Sequence, residues 1–172
     1  MKLNKFVYRS VLSTNSTAIR KIKNGFKNGI VVADNQTKGR GKYNKKWISI
    51  KGNLFTSIFY EINKVYNLKK LTNFHSKLIL RCLKKFIKKK INFKFPNDIM
   101  INKQKICGIL QETITIKKKN YIIVGVGINI VESPKLNEYK TSYLNKFLIK
   151  KISKKTLFNH LKMVFEKNLK VI

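Results

Sequence analysis

The chain has 172 residues, of which 43% are hydrophobic, so it can bury the core of one ordinary globular domain. Its longest nearly apolar run, residues 121–131, falls well short of the roughly 20 residues that a membrane-spanning helix needs, and no secretory signal precedes it, so we expect a cytoplasmic location and no membrane partner. The net charge of +32 comes from 35 lysines and 4 arginines, which indicates a compositional bias rather than a specific nucleic-acid partner.

The periodicity of apolar residues predicts an α+β domain. Alternating or short apolar runs predict strands at residues 5–9, 30–33, 54–60, 92–95, 98–101, 105–116 and 121–131. Helical spacing and N-cap residues predict helices from Ser13 to Gly25 or Gly29, from Leu68 to Lys90, and from Ser153 to about Lys170. The pattern of residues 37–53 predicts a long, mobile loop. Residues 132–151 show no pattern that assigns them to a helix or a strand. We expect a single mixed, largely antiparallel sheet with helices packed on one face.

The loop at residues 37–53 is the first stretch with chemical character. Gly39 and Gly41 allow a backbone to approach a ligand closely, and Arg40 and Lys42 supply positive charge for a phosphate or a carboxylate. The loop therefore predicts closure over an anion, although a basic surface loop with turn glycines explains the motif equally well. It is not a Walker A loop, because Gln36 stands where that motif needs a glycine.

A predicted hairpin carries the second stretch. Asp98 and Lys105 lie near the starts of its paired strands, with residues 102–104 as the connection, so a carboxylate and an ammonium group can face one pocket. Asp98 can hold Mg²⁺ while Lys105 stabilises charge on a phosphate. An exposed salt bridge beside a Pro-Asn-Asp turn is the alternative, and the motif by itself favours it.

The third stretch lies at the end of the last predicted strand. Gly125 and Gly127 interrupt an apolar run, which predicts either close packing of a flat ligand or room for a neighbouring side chain. The Asn129 amide is then available to hydrogen-bond a base edge. Cys82 and Cys107 are read as buried small hydrophobic residues, and His75 and His160, on predicted helices away from these stretches, as ordinary surface or core residues.

Taken together, these stretches resemble the catalytic domain of biotin protein ligase, also called biotin acetyl-CoA-carboxylase ligase. The order of motifs carries the resemblance, because each of them is weak alone. In this chain the order is Ser13-Thr14-Asn15, Gln36 with Gly39-Arg40-Gly41 and Trp47, Lys94-x-Pro96-Asn97-Asp98, Lys105-x-x-Gly108, and Gly127-Ile128-Asn129. The resemblance covers residues 5–131.

The resemblance implies an ATP-dependent ligase. Such an enzyme uses ATP and Mg²⁺ to convert biotin to biotinyl-5′-adenylate, and then transfers biotin to a lysine of the biotin carboxyl carrier protein of acetyl-CoA carboxylase. The resemblance gives catalytic roles to Lys105, Arg40 and Lys42. It gives the biotin site to Ser13, Thr14, Asn15, Gln36, Gly39, Arg40, Lys105 and Gly108. It gives nucleotide binding to Trp47, Asn97, Asp98 and Asn129, with Asp98 also the ligand of Mg²⁺.

The sequence also departs from the family pattern. Lys42 and Asn44 stand where the family usually has Arg and Gly, and Lys lacks the planar fork of Arg, so we expect looser retention of the adenylate. We expect one catalytic domain over residues 1–172, without the N-terminal DNA-binding domain or the small C-terminal barrel domain known in the family. The resemblance leaves a homodimer open.

Two alternatives to a biotin ligase remain. Lipoate and octanoate ligases or transferases share the fold, but they would show an Arg-Arg-x-x-Gly-Gly segment that this chain lacks. A small basic RNA-binding module is suggested by the charge, but it predicts clustered arginines and an RNP-like strand, and the sequence has neither.

Overall fold

A mixed sheet of seven strands runs through the part of the chain that the computed structural model describes, residues 1–62 and 67–169. The strands are β1 (Lys5–Val11), β2 (Asn28–Gln36), β3 (Leu54–Ile62), β4 (Ile91–Lys94), β5 (Asp98–Ile101), β6 (Gln104–Ile116) and β7 (Lys119–Ile128). Their order across the sheet is β1-β2-β3-β7-β6-β5-β4, and β1 and β2 are parallel while the other neighbours are antiparallel. The predicted α+β class and the mixed, largely antiparallel sheet are confirmed.

Helices cover both faces of this sheet, which corrects the expectation of one face. Helices α2 (Leu68–Lys84) and α3 (Lys154–Asn168) share the larger core with residues such as Ile30 and Val32. Helix α1 (Thr14–Lys23) packs against Val31 on the other side. Successive strand residues point to opposite faces, so a continuous apolar run such as residues 30–33 needs cover on both.

The first two helix predictions overshoot at their C-termini. Helix α1 ends before Gly25, whose positive φ of 92° and hydrogen bond to the Ile22 carbonyl stop the helix. Helix α2 ends at Lys84 rather than Lys90, because Ile87 turns into the core and Ile91 already belongs to β4. The predicted C-terminal end of α3 at Lys170 lies outside the described residues. None of the described helices is long and apolar enough to cross a membrane.

A bulge in β6 determines which way Lys105 points. Ile99 pairs with Cys107 but Met100 pairs with Lys105, so Ile106 is an extra residue on β6. Ile106 and Cys107 are both fully buried in the larger core. Lys105 and Gly108, which flank them, therefore both face the α1 side of the sheet, although a regular strand would turn residues three apart to opposite faces.

The two cysteines and His75 are core residues, as the sequence predicts. Cys82 and Cys107 are unpaired and fully buried, and burial raises the pKa of the Cys82 thiol to about 12. His75 of α2 is also fully buried, with its Nε2 2.7 Å from the Tyr60 hydroxyl and its Nδ1 2.7 Å from Gln111 Oε1. Burial lowers the pKa of His75 to about 4, against a partly opposing effect of the Gln111 hydrogen bond.

We predict that neutral His75 makes the stability of the fold depend on pH. The pKa is 6.5 in the unfolded chain and about 4 in the folded one, so the unfolded state binds the proton more tightly. The contribution of neutral His75 to the free energy of unfolding is complete above pH 6.5. It falls by roughly 3 kcal/mol as the pH drops to 4. Urea unfolding at several pH values should show the stability gap between the wild type and His75→Gln narrowing over this range. The His160→Gln variant should lose stability between pH 6.5 and 4 as the wild type does. A stability difference between the wild type and His75→Gln that does not change with pH would contradict the role of His75.

Candidate active site

A cavity of about 230 Å³ opens on the α1 side of the sheet. It lies between the N-terminus of α1, the loop at residues 37–53 and strands β5, β6 and β7. Most of the predicted site residues line it: Ser13, Thr14, Asn15, Gln36, Arg40, Lys42, Trp47, Asn97, Asp98, Lys105 and Gly108. Gly39 lines an adjoining groove on the same loop, and Asn129 is not among the residues that line the cavity.

The start of α1 forms one wall. Ser13 caps the helix by accepting a hydrogen bond from the Ser16 amide at 3.1 Å. The amide of Thr14 and its hydroxyl both donate to Gln36 Oε1, at 2.8 and 3.1 Å. The start of α1 is thereby fixed to the end of β2. The predicted site residues Thr14 and Gln36 are hydrogen-bonded to each other.

Asn15 extends this group towards β6. Its Nδ2 donates to Glu112 Oε2 at 2.6 Å and to the Leu110 carbonyl at 3.2 Å. Its Oδ1 accepts from the Ser57 hydroxyl at 2.5 Å. Gly125 leaves the space that the Asn15 side chain occupies, because a Cβ at Gly125 would collide with it. Asn15 is therefore a buried residue whose polar atoms are already bonded to the protein.

Glu112 joins this network to the basic loop. Its Oε2 also accepts from Arg40 at 2.8 Å, so one carboxylate contacts both Asn15 and Arg40. The sequence reasoning missed Glu112 and Ser57. The signals available were the scarcity of acids, seven in the whole chain, and a serine in the middle of the apolar run 54–60. Glu112 follows Gly108 by four residues on β6, so strand alternation places both on the pocket side.

Lys105 and Asp98 meet as the hairpin predicts. Lys105 Nζ lies 2.8 Å from Asp98 Oδ1, and their side chains are 11% and 23% exposed. The ammonium group also lies 5.5 Å from the centre of the Trp47 ring and 5.0 Å from that of Tyr139. The exposed salt bridge that the motif favoured by itself is thus wrong, because this pair is largely enclosed.

Tyr139 belongs to the segment that the sequence left unassigned, and backbone contacts with Lys105 hold that segment over the cavity. The Lys105 amide donates to the Lys140 carbonyl at 2.9 Å, and the Ser142 amide donates to the Lys105 carbonyl at 2.8 Å. Asn129 is buried beneath it, and its Nδ2 donates to the Ser142 carbonyl at 3.1 Å. Its Oδ1 has no partner among the described residues, and its role in reading a base stays a prediction.

Trp47 lies on a floor made by two glycines. Gly108 and Gly127 are opposite each other in the β6–β7 pair. A Cβ at Gly127 would come within 2.5 Å of the Trp47 ring, and one at Gly108 within 2.6 Å. The glycines therefore make room for a neighbouring side chain in this structure. Because the indole fills part of the cavity, the space left is below the roughly 300–1,000 Å³ of typical small-molecule sites.

The charges around the cavity are partly neutralised. Three of the seven carboxylates in the chain pair with cations that line it: Glu112 with Arg40, Asp98 with Lys105, and Glu138 with Lys45. Within the described residues, no carboxylate pairs with Lys42 or Lys46, which also line the cavity. The hydrogen bond and charge of Glu138 raise the pKa of Lys45. The unpaired cations favour anionic ligands.

The residues present do not make a complete metal site. No group of three or more His, Cys, Asp or Glu side chains suited to a metal ion occurs in the described ranges. Asp98 is the one carboxylate found among the lining residues of the cavity, and it pairs with Lys105. A single carboxylate fits Mg²⁺ that is carried mainly by phosphate oxygens and water.

Comparisons with known proteins agree with this arrangement. The model of the biotin/lipoate A/B protein ligase family matches residues 7–129. The bifunctional ligase/repressor BirA of Bacillus subtilis (strain 168) is 31% identical over 171 residues, covering 94% of this chain and 52% of that protein. The biotin protein ligase of Aquifex aeolicus in complex with biotin and ATP superposes with a TM-score of 0.82 and 29% identity, over 97% of this chain and 70% of that one.

A second solved structure widens the match. The biotin protein ligase of Leishmania major in complex with biotinyl-5-AMP superposes with a TM-score of 0.79 and 26% identity, over 98% of this chain and 81% of that one. A bipartite lipoate protein ligase from Thermoplasma acidophilum gives a TM-score of 0.61 at 9% identity, over 99% of this chain and 85% of that one, which shows the shared fold alone. The class defined by fold and cavity is thus that of the acyl–protein ligases. The chain belongs to the biotin/lipoate A/B protein ligase family, and it spans about half the length of the curated relatives it matches first.

We predict that Gly127→Ala displaces Trp47. The added methyl group takes the place of the ring, and Trp47 is the one tryptophan in the chain, so its fluorescence reports on this contact alone. The emission maximum should shift to longer wavelength and acrylamide quenching should increase. Ile128→Val, which changes a residue on the opposite face, should leave both unchanged. An unaltered spectrum in Gly127→Ala would mean that the ring does not rest on the glycines.

Proposed function

We propose that the chain activates biotin with ATP, forming biotinyl-5′-adenylate and pyrophosphate, and then transfers biotin to a lysine of a carrier protein. One observation carries the proposal: the basic loop with Arg40 and the hairpin with Lys105 line the same cavity. The biotin ligases of known structure that resemble the chain, in complexes with biotin and ATP or with biotinyl-5-AMP, support the choice of substrates.

The chemistry of adenylation requires two anions to meet. The biotin carboxylate must approach the α-phosphate of ATP, and negative charge grows at that phosphate as the new bond forms. In our proposal, the ligand carboxylate and phosphate take over Lys105 from Asp98. Arg40 and Lys42 on the loop then neutralise the nucleotide. The hydrogen-bonded wall of Thr14 and Gln36 lies where the uncharged end of biotin would bind.

Both ligands together need more space than this cavity of about 230 Å³ offers. The Trp47 ring would have to leave the floor of Gly108 and Gly127 and then lie against the adenine, while the loop excludes water from the adenylate. Trp47 and the basic residues belong to one loop, so a single movement of residues 37–53 serves both purposes. Asn97 and Asp98, at the opposite wall, would contact the phosphates.

Mg²⁺ enters this proposal with the nucleotide. Asp98 is the residue that would hold it, together with phosphate oxygens and water. When bound, Mg²⁺ offsets negative charge on the phosphates. The protein residues do the positioning: Lys105, once released from Asp98, contacts the reacting groups, and Asp98 becomes available for the metal.

We also propose the identity of the carrier protein and the location of the enzyme. The carrier would be the biotin carboxyl carrier protein of acetyl-CoA carboxylase, which makes the enzyme a biotin–[acetyl-CoA-carboxylase] ligase. A cytoplasmic location fits the two buried, unpaired cysteines, because thiols persist in a reducing compartment. The strongest support for biotin over lipoate is that the relatives with substantial identity are biotin ligases.

We predict biotin-dependent exchange of labelled pyrophosphate into ATP. Lys105→Ala should lower the exchange rate at least a hundredfold, because an oriented cation at the reacting phosphate is lost. Lys88→Ala, in the basic cluster beyond α2, is the matched control and should exchange at the wild-type rate. Circular dichroism should confirm that both variants fold.

Substrate controls complete this test. Lipoate and octanoate should give no exchange above background. Exchange that depends on lipoate rather than biotin would replace the proposed substrate, and full exchange by Lys105→Ala would remove Lys105 from the reaction.

A further inference from the structure

We propose that a lysine-rich surface on the α2 side of the sheet binds the face of an anionic lipid bilayer. This surface, the lysine patch, consists of the exposed lysines of two segments, residues 84–90 and 146–151, together with Ile149. The proposal goes beyond the adenylation reaction, because the patch lies away from the cavity and its contact needs neither biotin nor ATP.

Two segments that are distant in the sequence form the patch. Residues 84–90 run from the end of α2 to β4, and residues 146–151 precede α3. Phe86 and Phe147 both pack against the larger core, and Lys89 Nζ lies 5.5 Å from the centre of the Phe147 ring. The lysines of the two segments therefore belong to one surface.

The charge of the patch is not balanced by nearby acids. The two segments hold eight lysines, all exposed, and no carboxylate. Within the part of the chain that the structure describes, none of the eight forms an ion pair. Glu166, the one acid of α3, already accepts hydrogen bonds from Lys162 and from the Leu3 amide. The mutual repulsion of these lysines therefore favours contact with an external anionic surface.

Ile149 gives the patch an apolar tip. It is fully exposed, at 102%, although Phe147, Leu148 and Ile152 beside it pack against the larger core. Asn145 closes the base of this loop: its Oδ1 accepts from the Ile152 amide at 3.0 Å, and its Nδ2 donates to the Ile152 carbonyl at 3.2 Å. One side chain thus makes both bonds of a backbone pair, and it holds the loop with Ile149 outward.

An anionic bilayer complements both features. Each lysine close to a negatively charged membrane surface strengthens binding about fivefold, so several lysines together give a stable contact. An apolar side chain at the tip enters the boundary between headgroups and acyl chains. Lys146 and Lys150, on either side of the tip, can keep their ammonium groups among the lipid phosphates while their methylene chains lie deeper.

Other polyanions match the patch less well. Nucleic acids are bound through arginine forks and aromatic stacking, and the two segments contain no arginine, while Phe86 and Phe147 are partly buried. A protein partner needs a socket shaped to Ile149 and packed at the density of a protein interior. A bilayer is fluid, so its anionic lipids gather around flexible lysines without a fixed geometry. The combination therefore favours lipid as the occupant.

This contact needs no membrane-spanning segment. We expected no membrane partner because no apolar run in the sequence is long enough to cross a bilayer, and that reasoning does not apply to contact with one membrane surface. The cavity opens on the α1 side of the sheet, whereas the patch packs against the core beneath α2 and α3. A chain bound through the patch would therefore keep its cavity open to solution.

The first test compares two variants that lose the same charge. The full chain is sedimented at physiological salt with vesicles of phosphatidylglycerol and phosphatidylcholine in a ratio of about one to two. The patch variant carries Lys89→Gln, Lys90→Gln, Lys150→Gln and Lys151→Gln. The control variant carries Lys23→Gln, Lys27→Gln, Lys117→Gln and Lys118→Gln, all at exposed positions outside the patch.

The location of the charge should decide the result. The wild type should bind these vesicles but not pure phosphatidylcholine. The patch variant should bind at least a hundredfold more weakly, and the control variant should stay within about threefold of the wild type. Equal weakening of the two variants would mean that net charge alone drives binding, and it would overturn the proposal. Circular dichroism should confirm that both variants fold.

A second pair of variants tests the apolar tip. Ile149→Ser should lower the vesicle partition coefficient about tenfold, because the bilayer no longer takes up an apolar side chain. Val7→Ser is the matched control, since Val7 is 63% exposed on β1 outside the patch, and it should bind as the wild type does. An equal partition coefficient for Ile149→Ser and the wild type would contradict the proposed contact.

A fluorescent probe at the tip reports the orientation of the bound chain. Cys82 and Cys107 are fully buried, so a thiol-reactive, polarity-sensitive dye on Ile149→Cys labels that position selectively. Its emission should shift to shorter wavelength when anionic vesicles are added, and the same dye on Val7→Cys should not respond. A response at Val7→Cys alone would place another surface on the bilayer. Binding of polyglutamate or mixed RNA that depends on Ile149, without vesicle binding, would assign the patch to a different partner and overturn the proposal.

Discussion

The bulge at Ile106 is the constraint on which the site depends. In a regular strand, Lys105 and Gly108 would face opposite sides of the sheet, and the amine would point into the core beneath α2. The extra residue sends Ile106 and Cys107 into that core and turns both flanking residues to the α1 side. Burying two neighbouring apolar residues thereby stabilises the orientation of a lysine. In the sequence, this geometry corresponds to the Lys-x-x-Gly spacing of Lys105 and Gly108.

Two cations of the cavity, Arg40 and Lys105, are paired with carboxylates. Each pair has one partner on a different element: Arg40 of the loop with Glu112 of β6, and Lys105 of β6 with Asp98 of β5. A ligand carboxylate or phosphate can replace Asp98 beside Lys105, so that this largely buried ammonium group keeps an anionic partner. Glu112 also contacts Asn15, which couples the loop to the start of α1.

The lysine bias has different consequences on different surfaces. At the end of α2, lysines are solvated and their exchange for arginine has little chemical meaning. At the rim of the cavity, a lysine places an amine where an arginine would place an inert guanidinium group. Membership of the biotin/lipoate A/B protein ligase family fixes the fold and the class of site.

The sequence by itself determined the strands, the order of the motifs and the meeting of Asp98 with Lys105, because strand alternation and a tight hairpin connection act over a few neighbouring residues. It could not determine that α1 covers a second face, that Trp47 rests on Gly108 and Gly127, or that Glu112 joins Asn15 to Arg40. These contacts link residues tens of positions apart. Strand register and the path of the loop decide them, and both are settled only when the whole sheet is assembled.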